Sequence, residues 1–187
     1  MNRKSIPVDD LGTRFHHLWN SQWFLLTAGD FTTRDFNTMT VSWGSLGVMW
    51  NRPVAQVVVR PVRHTFGFLE RHATFTLCAF PERYHEALVL LGSKSGYDGD
   101  KIAESGLTPQ GASVVAAPVF AEAELVLECR KIYSDDFNPA RFLDPSIASN
   151  YPNKDYHRIY FGEIVAIAGT DKYRRTDGGA TLPDGTS

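Results

Sequence analysis

Cysteine is scarce in this chain. Cys78 and Cys129 are the only two, they lie in separate apolar stretches, and no CxxC spacing joins them. Each therefore reads as a small buried core residue rather than a metal ligand or half of a disulfide. Several signatures are missing outright. Neither GxGxxG nor GxxxxGKS/T occurs, so a nucleotide, if one is used, is not held in the Rossmann or P-loop manner. HExxH is absent, His16 and His17 are adjacent, and His64 and His72 are eight apart, which leaves no metal site. A GxSxG nucleophile elbow is absent as well. No segment approaches membrane-spanning length, and the positive charge at Arg3 and Lys4 has no apolar run behind it. The expectation is a cytoplasmic protein with no membrane partner. A formal net charge of −2 and a pI near 6.3 supply no basic field for a phosphate backbone, which argues against nucleic acid.

With 187 residues, 43% of them hydrophobic, the chain can bury one ordinary core. A single domain over 1–173 is expected, and 174–187, poor in apolar residues, reads as a flexible C-terminal tail. Runs rich in β-branched and aromatic residues dominate: Trp23 to Gly29, Thr38 to Trp43, Val54 to Arg60, Thr74 to Phe80, Glu122 to Tyr133 and Tyr156 to Ala168. The fold class is therefore mainly β, with barrel or sandwich patterning. Leu125, Leu127 and Cys129 alternate with Glu124 and Glu128, which predicts a half-buried strand. Short helices are expected near Leu11 to Trp19, His64 to His72 and Glu82 to Leu91, with a fourth from Asp98 to Ser105 stopped by Gly106.

Four segments could carry chemistry. In Asn37-Thr38-Met39-Thr40-Val41-Ser42-Trp43, strand alternation puts Thr38, Thr40 and Ser42 in one hydroxyl row and Met39, Val41 and Trp43 on the other face. Such a shelf suits the polar edge of a flavin ring. It is equally what a solvent-facing amphipathic strand presents. Arg60-Pro61-Val62-Arg63-His64-Thr65 opens a helix, where free amides and Arg side chains can grip a phosphate, or where Thr65 simply caps the helix. Gly92-Ser93-Lys94-Ser95-Gly96, followed by Lys101, offers an anion loop or an ordinary solvated connection. In the fourth, His157 lies on an apolar strand, the position of a satisfied core histidine or of a functional one.

Taken together and in order, NTMTVSWGSLGVMWNRP, VRPVRHT, LGSKSGYDGDKIAESGLTP and YPNKDYHRIYFGEIV resemble the flavin reductase family of FMN-binding split barrels, in particular its flavoredoxin-like branch. The resemblance covers about Trp19 to Tyr173. It implies a six-stranded Greek-key split barrel with a few short helices, working as a homodimer with FMN near the interface. It also implies that Asn37, Thr38, Met39, Thr40, Ser42 and Trp43 meet the flavin. Arg60, Arg63 and Thr65 would serve its phosphate side, with Ser93, Lys94, Ser95 and Lys101 completing the anion-facing loop. His157 matches the histidine beside the ring face where nicotinamide stacks. Tyr97 and Tyr156 depart from the family pattern, which commonly has a basic residue and Gly-Asp at the corresponding places. The activity implied is hydride transfer from NADH or NADPH to flavin, an NAD(P)H:flavin oxidoreductase. The alternative is a flavoredoxin-like electron carrier serving a redox partner protein without nicotinamide-dependent turnover. A surplus of large aromatics, Trp19, Trp43, Trp50 and Phe80, also points to a dimer interface.

Overall fold

The computed structural model describes residues 1–175. Ten strands form in chain order: β1 (Lys4–Ser5), β2 (Phe24–Asp30), β3 (Asp35–Val41), β4 (Gly44–Met49), β5 (Arg52–Val59), β6 (Thr74–Ala79), β7 (Pro109–Gln110), β8 (Val119–Phe120), β9 (Leu125–Asp136) and β10 (Arg158–Gly169). The principal sheet runs β3-β2-β6-β9-β10-β5-β4, with β1 paired to β10 and β7–β8 forming a small separate ladder. Every pairing is antiparallel. The two end strands of this order, β3 and β4, are consecutive in the chain and joined only by Ser42 and Trp43. The sheet thus curls round until its ends meet at a two-residue link, a barrel open along one seam.

All six strand runs expected from sequence are strands, with ends shifted by a few residues. The short β1, β7 and β8 and the longer β4 were not anticipated; in β4, Gly44, Ser45 and Gly47 dilute the β-forming residues, and it brings the main path of the sheet to seven strands where six were expected. Gly44 is required there: a Cβ would lie 2.4 Å from the Gln56 carbonyl oxygen and 2.4 Å from Cη2 of Trp19. The β4–β5 turn places Trp50 and Asn51 at φ of 53° and 57°, the left-handed geometry of a tight two-residue hairpin.

Two packed clusters hold the fold. Phe24, Leu26, Met39, Val41, Val57, Val59, Phe75, Leu77, Leu127 and Tyr160 fill the barrel. On the outer face Leu25, Cys78, Phe80 and Val126 pack against Leu88 and Leu91 of helix α3 (His85–Ser93) and against Phe120. Strands β2 and β6 and the first part of β9, Leu125 to Cys129, are consequently buried on both faces, which is why they read as nearly continuous apolar runs. This corrects the half-buried reading of β9. Glu124 and Glu128 are 7% and 4% exposed, not solvated. Glu128 accepts from the amides of Ser113, Val114 and Val115 and from Ser113 Oγ, while Glu124 is bonded by Gln22, Lys172 and Tyr173. Buried carboxylates need such partners to offset lost hydration.

The other helices are α1 (Phe15–His17), continued by a π-turn over Leu18–Gln22, α2 (His64–Arg71) and α4 (Lys101–Ser105). Asp100 caps α4 by accepting from the Ala103 amide, and Gly106 ends it at φ 69°, as the sequence signals indicated. Cys78 and Cys129 are free and fully buried. Trp19 and Phe80 are buried inside the single chain at 6% and 2% exposure, so the surplus-aromatic argument keeps only Trp43 and Trp50, at 46% and 56%. Of the expected tail, Arg174 bridges Leu11 and the Arg175 amide donates to the Asp10 carbonyl. Residues 176–187 lie outside the described residues. No helix among the described residues is long and apolar enough to cross a membrane.

Candidate functional site

A cleft of about 480 Å³ opens where β3 and β5 end and β10 begins, at one end of the seam. Its walls are Met39 to Trp43, Val58, Arg60, Val62, Arg63, Asp155 and His157. Three distant stretches of sequence meet here because β3, β5 and the approach to β10 reach the same end of the sheet. The cleft has an apolar wall of Met39, Val41, Val58 and Trp43 and a polar rim. That mixture, and the volume, match small-molecule sites in general.

Of the candidates, Met39, Thr40, Ser42, Trp43, Arg60, Arg63 and His157 come together in this cleft. Of the hydroxyl row, Thr38 stays outside it and the Thr40 hydroxyl is already spent. Thr38 is fully buried, with its hydroxyl bonded to Thr27 Oγ1 at 2.9 Å and to the Leu26 carbonyl at 3.0 Å. Thr40 donates to the Leu88 carbonyl of α3. The row is thus neither an open shelf nor a solvent face: Thr38 is closed off by β2 and Thr40 by α3, and only Ser42 keeps its hydroxyl for the cleft. Thr65 is inside α2 at 1% exposure, accepting from Asn37 Nδ2 at 2.7 Å, so it does not cap the helix. Asn37 and Lys101 line a second cavity of about 580 Å³ with His64, Gly96 and Gly99.

The anion loop is internally satisfied. Ser93 Oγ bonds the Val89 carbonyl at 2.8 Å, Ser95 Oγ accepts from the Tyr97 amide at 3.2 Å, and Lys94 pairs with Glu104 at 2.6 Å. Lys101 Nζ donates to the carbonyls of Leu91 and Lys94 at 2.9 and 3.1 Å, closing the end of α3. Burial, reinforced by the Arg63 charge, lowers its pKa to about 8. None of these donors faces the cleft.

The cleft's cations differ in how far they are committed. Arg60 is held by Asp155 at 3.0 Å and by the Asn150 carbonyl at 2.7 Å, and its guanidinium lies over the Tyr151 ring at 5.2 Å. Arg63 gives a single N–H to the Gly92 carbonyl, leaving most of its donor fork for an anion. Burial, then the Arg60 charge, lowers its pKa. His157 is 9% exposed. Its Nδ1 lies 2.7 Å from the Tyr151 hydroxyl, and its ring sits 5.2 Å from that of Trp43. Burial, then the Arg60 charge, lowers its pKa to about 4 against the pull of Asp155, so the ring is neutral near pH 7. Asp155 and Tyr151 belong to the approach to β10, a stretch in which the sequence singles out only Tyr156 and His157. Their signal was an Asp and a Tyr close before a strand-opening histidine, too common a pattern to stand out.

A family model described as flavin reductase like domain matches residues 18–179. No curated protein matches. Among solved structures the chain is similar to an FMN-binding domain of flavin reductases-like enzyme from Shewanella baltica OS155, at 18% identity over 90% of this chain and 77% of that one, TM-score 0.65. It is similar to the flavoredoxin of Desulfovibrio vulgaris (Miyazaki F), at 22% identity over 87% and 76%, TM-score 0.63. A third is an NADH:FAD oxidoreductase of Streptomyces globisporus C-1027, at 16% identity over 82% and 78%, TM-score 0.61. At these identities the likenesses speak to the fold.

Proposed function

The chain belongs to the flavin reductase like domain family, and on that premise we propose that it binds FMN in the seam cleft and reduces it with NADH or NADPH. The observation that carries this reading is the convergence of Met39–Trp43, Arg63 and His157 on one cleft from three separated stretches. The donor set fits the cofactor. Met39, Val41 and Trp43 offer apolar surface to the ring, Ser42 and the main chain of the seam link offer donors and acceptors to its polar edge, and Arg63 offers a fork to the phosphate. Lys94 and Lys101, committed elsewhere, are left out of the phosphate grip.

Bound FMN supplies a hydride acceptor, and the protein's part is to position and to set the electrostatics. Trp43 and Val58 exclude water from the wall. Arg63 places positive charge beside the site, where it favours an anionic reduced product. His157 is neutral and has one ring nitrogen left for a ligand, so it orients rather than donating a proton. No protein nucleophile is needed.

A second reading, a flavoredoxin-like carrier, is favoured by one observation: Arg60 is spent on Asp155 and Asn150, leaving the cleft with less positive charge for a nicotinamide nucleotide's phosphates. A homodimer belongs to the proposal too, with exposed Trp50 and Val48 at the β4–β5 hairpin as its apolar contact. Anaerobic titration of the FMN-loaded protein with NADH and then NADPH, followed by flavin absorbance, tests the function. Bleaching supports the reductase, a yellow protein that does not bleach supports the carrier, and failure to take up FMN ends both.

A further inference from the structure

His157 has one nitrogen facing the protein and one facing the cleft, and what Nδ1 does fixes what Nε2 can do. Nδ1 is 2.7 Å from the Tyr151 hydroxyl. Tyr151 is 4% exposed, enclosed by the rings of Phe142 and Tyr156 at 6.0 and 5.0 Å and by the Arg60 guanidinium. Its hydroxyl has no other hydrogen-bond partner among the described residues. If Nδ1 carried the imidazole proton and donated to the phenol oxygen, the phenol's own hydrogen would be buried without an acceptor, which costs about 1–3 kcal/mol. If the phenol donates instead, both groups are satisfied. A neutral imidazole that accepts at Nδ1 must carry its hydrogen at Nε2.

We propose that Tyr151 is a positioning residue for the cleft: its hydroxyl donates to Nδ1 and thereby holds His157 as an Nε2–H donor, which takes the amide oxygen of the hydride donor. The proposal rests on the flavin reductase reading for its ligand and on the Tyr151–His157 geometry for the tautomer. Burial raises the Tyr151 pKa above its ordinary value, so the phenol keeps the hydrogen it gives. A neutral donor at Nε2 matches a neutral carbonyl oxygen; the opposite tautomer would present an acceptor and reject it. Replacing a ligand carbonyl by a group lacking the acceptor leaves a desolvated donor unpaired, a strong source of discrimination.

The tautomer is read directly from long-range proton–nitrogen spectra of imidazole-labelled, flavin-free protein at pH 7, with His157 assigned by its loss in His157→Asn. The expected spectrum has a protonated Nε2 and an unprotonated Nδ1, and Tyr151→Phe should convert it to a mixture of both tautomers. A protonated Nδ1 in the wild type, or a spectrum unchanged by Tyr151→Phe, overturns the proposal. In the FMN-loaded protein, Tyr151→Phe should raise KM for NADH or NADPH about tenfold, with kcat and FMN affinity within about twofold. The same substitution placed on His157→Asn should add nothing further. Equal effects in both backgrounds would mean a merely structural tyrosine and also overturn it. A wild type that no nicotinamide nucleotide reduces removes the reductase reading, and with it the assigned ligand, while the spectrum still decides the role of Tyr151.

Discussion

Acidification from pH 7 to pH 5 should weaken the fold, and His157 should carry a separable share of the loss. The ring's pKa is about 4 in the folded protein and near 6.5 in an unexposed-to-burial reference chain. Below about pH 6.5 the unfolded chain takes up a proton that the folded chain refuses, so stability falls as pH drops. Above that value the two states bind equally and the effect vanishes. Below about pH 4 both are protonated and this contribution levels off. Linkage between the two values gives a loss of about 2 kcal/mol at pH 5, within a full span of about 3 kcal/mol. That is a large share of the 5–15 kcal/mol on the order of which small domains are stable. Asp136 and Asp155, held below the usual carboxylate range chiefly by hydrogen bonds from Arg158 and Arg60, lose their contributions at lower pH, in a separate window. His64, whose pKa is also lowered by burial, acts in the same direction as His157 and is present in both proteins compared. Urea unfolding of the wild type and of His157→Gln at pH 7, 6 and 5 isolates the effect. The wild type should lose about 2 kcal/mol more than the variant between pH 7 and 5. Parallel losses would refute the claim that His157 is buried and neutral.

Lys101→Met should lower thermal stability by roughly 1–3 kcal/mol, because it strips the carbonyls of Leu91 and Lys94 of their donor, and FMN affinity per folded molecule should stay within about twofold. Paired melting and calorimetric titration check it, and a large affinity loss with an unchanged melting temperature would return Lys101 to the phosphate site. Gly162→Ala should cost about 1–3 kcal/mol or more, since a Cβ there would lie 2.4 Å from Phe75 Cζ and 2.9 Å from Cys129 Cβ; denaturant unfolding measures it, and a neutral result would mean that the Phe75 ring moves aside freely. Arg63→Ala should bring FMN affinity down toward that of riboflavin, measured by titrating both, and an undiminished preference for FMN would place the phosphate elsewhere.

The strand runs were legible because burial on both faces writes apolar stretches into β2, β6 and the first part of β9. The seam strand β4 was not, because its Gly44 answers to Trp19 and Gln56, neighbours that sequence spacing does not reveal. The same blindness explains the anion loop. Ser93, Lys94, Ser95 and Lys101 have the composition of a phosphate cradle, yet which acceptor a lysine finds depends on tertiary position, and here the acceptors are Glu104 and the carbonyls ending α3. Glu128 was misread for a related reason: an alternating carboxylate looks solvated until the 113–115 loop folds over it. The cleft's composition was partly visible at Met39–Trp43 and His157, but Asp155 and Tyr151 gain meaning only from the side chains they meet.

The order of the sheet has a consequence for how the protein is made. Strands β9 and β10, the last strands of the principal sheet in chain order, lie in its middle between β6 and β5. Until that hairpin emerges, the earlier strands are two unjoined pieces, β3-β2-β6 and β5-β4, each with a bare inner edge and an uncovered apolar face. The growing chain must therefore wait, exposed, until residues 125–169 have been made, and the cleft cannot exist before His157 has been added. A nascent chain of this topology is a natural client for a chaperone that shields strand edges, and ligand capture can begin only once the segment that carries Asp155 and His157 has joined β3 and β5.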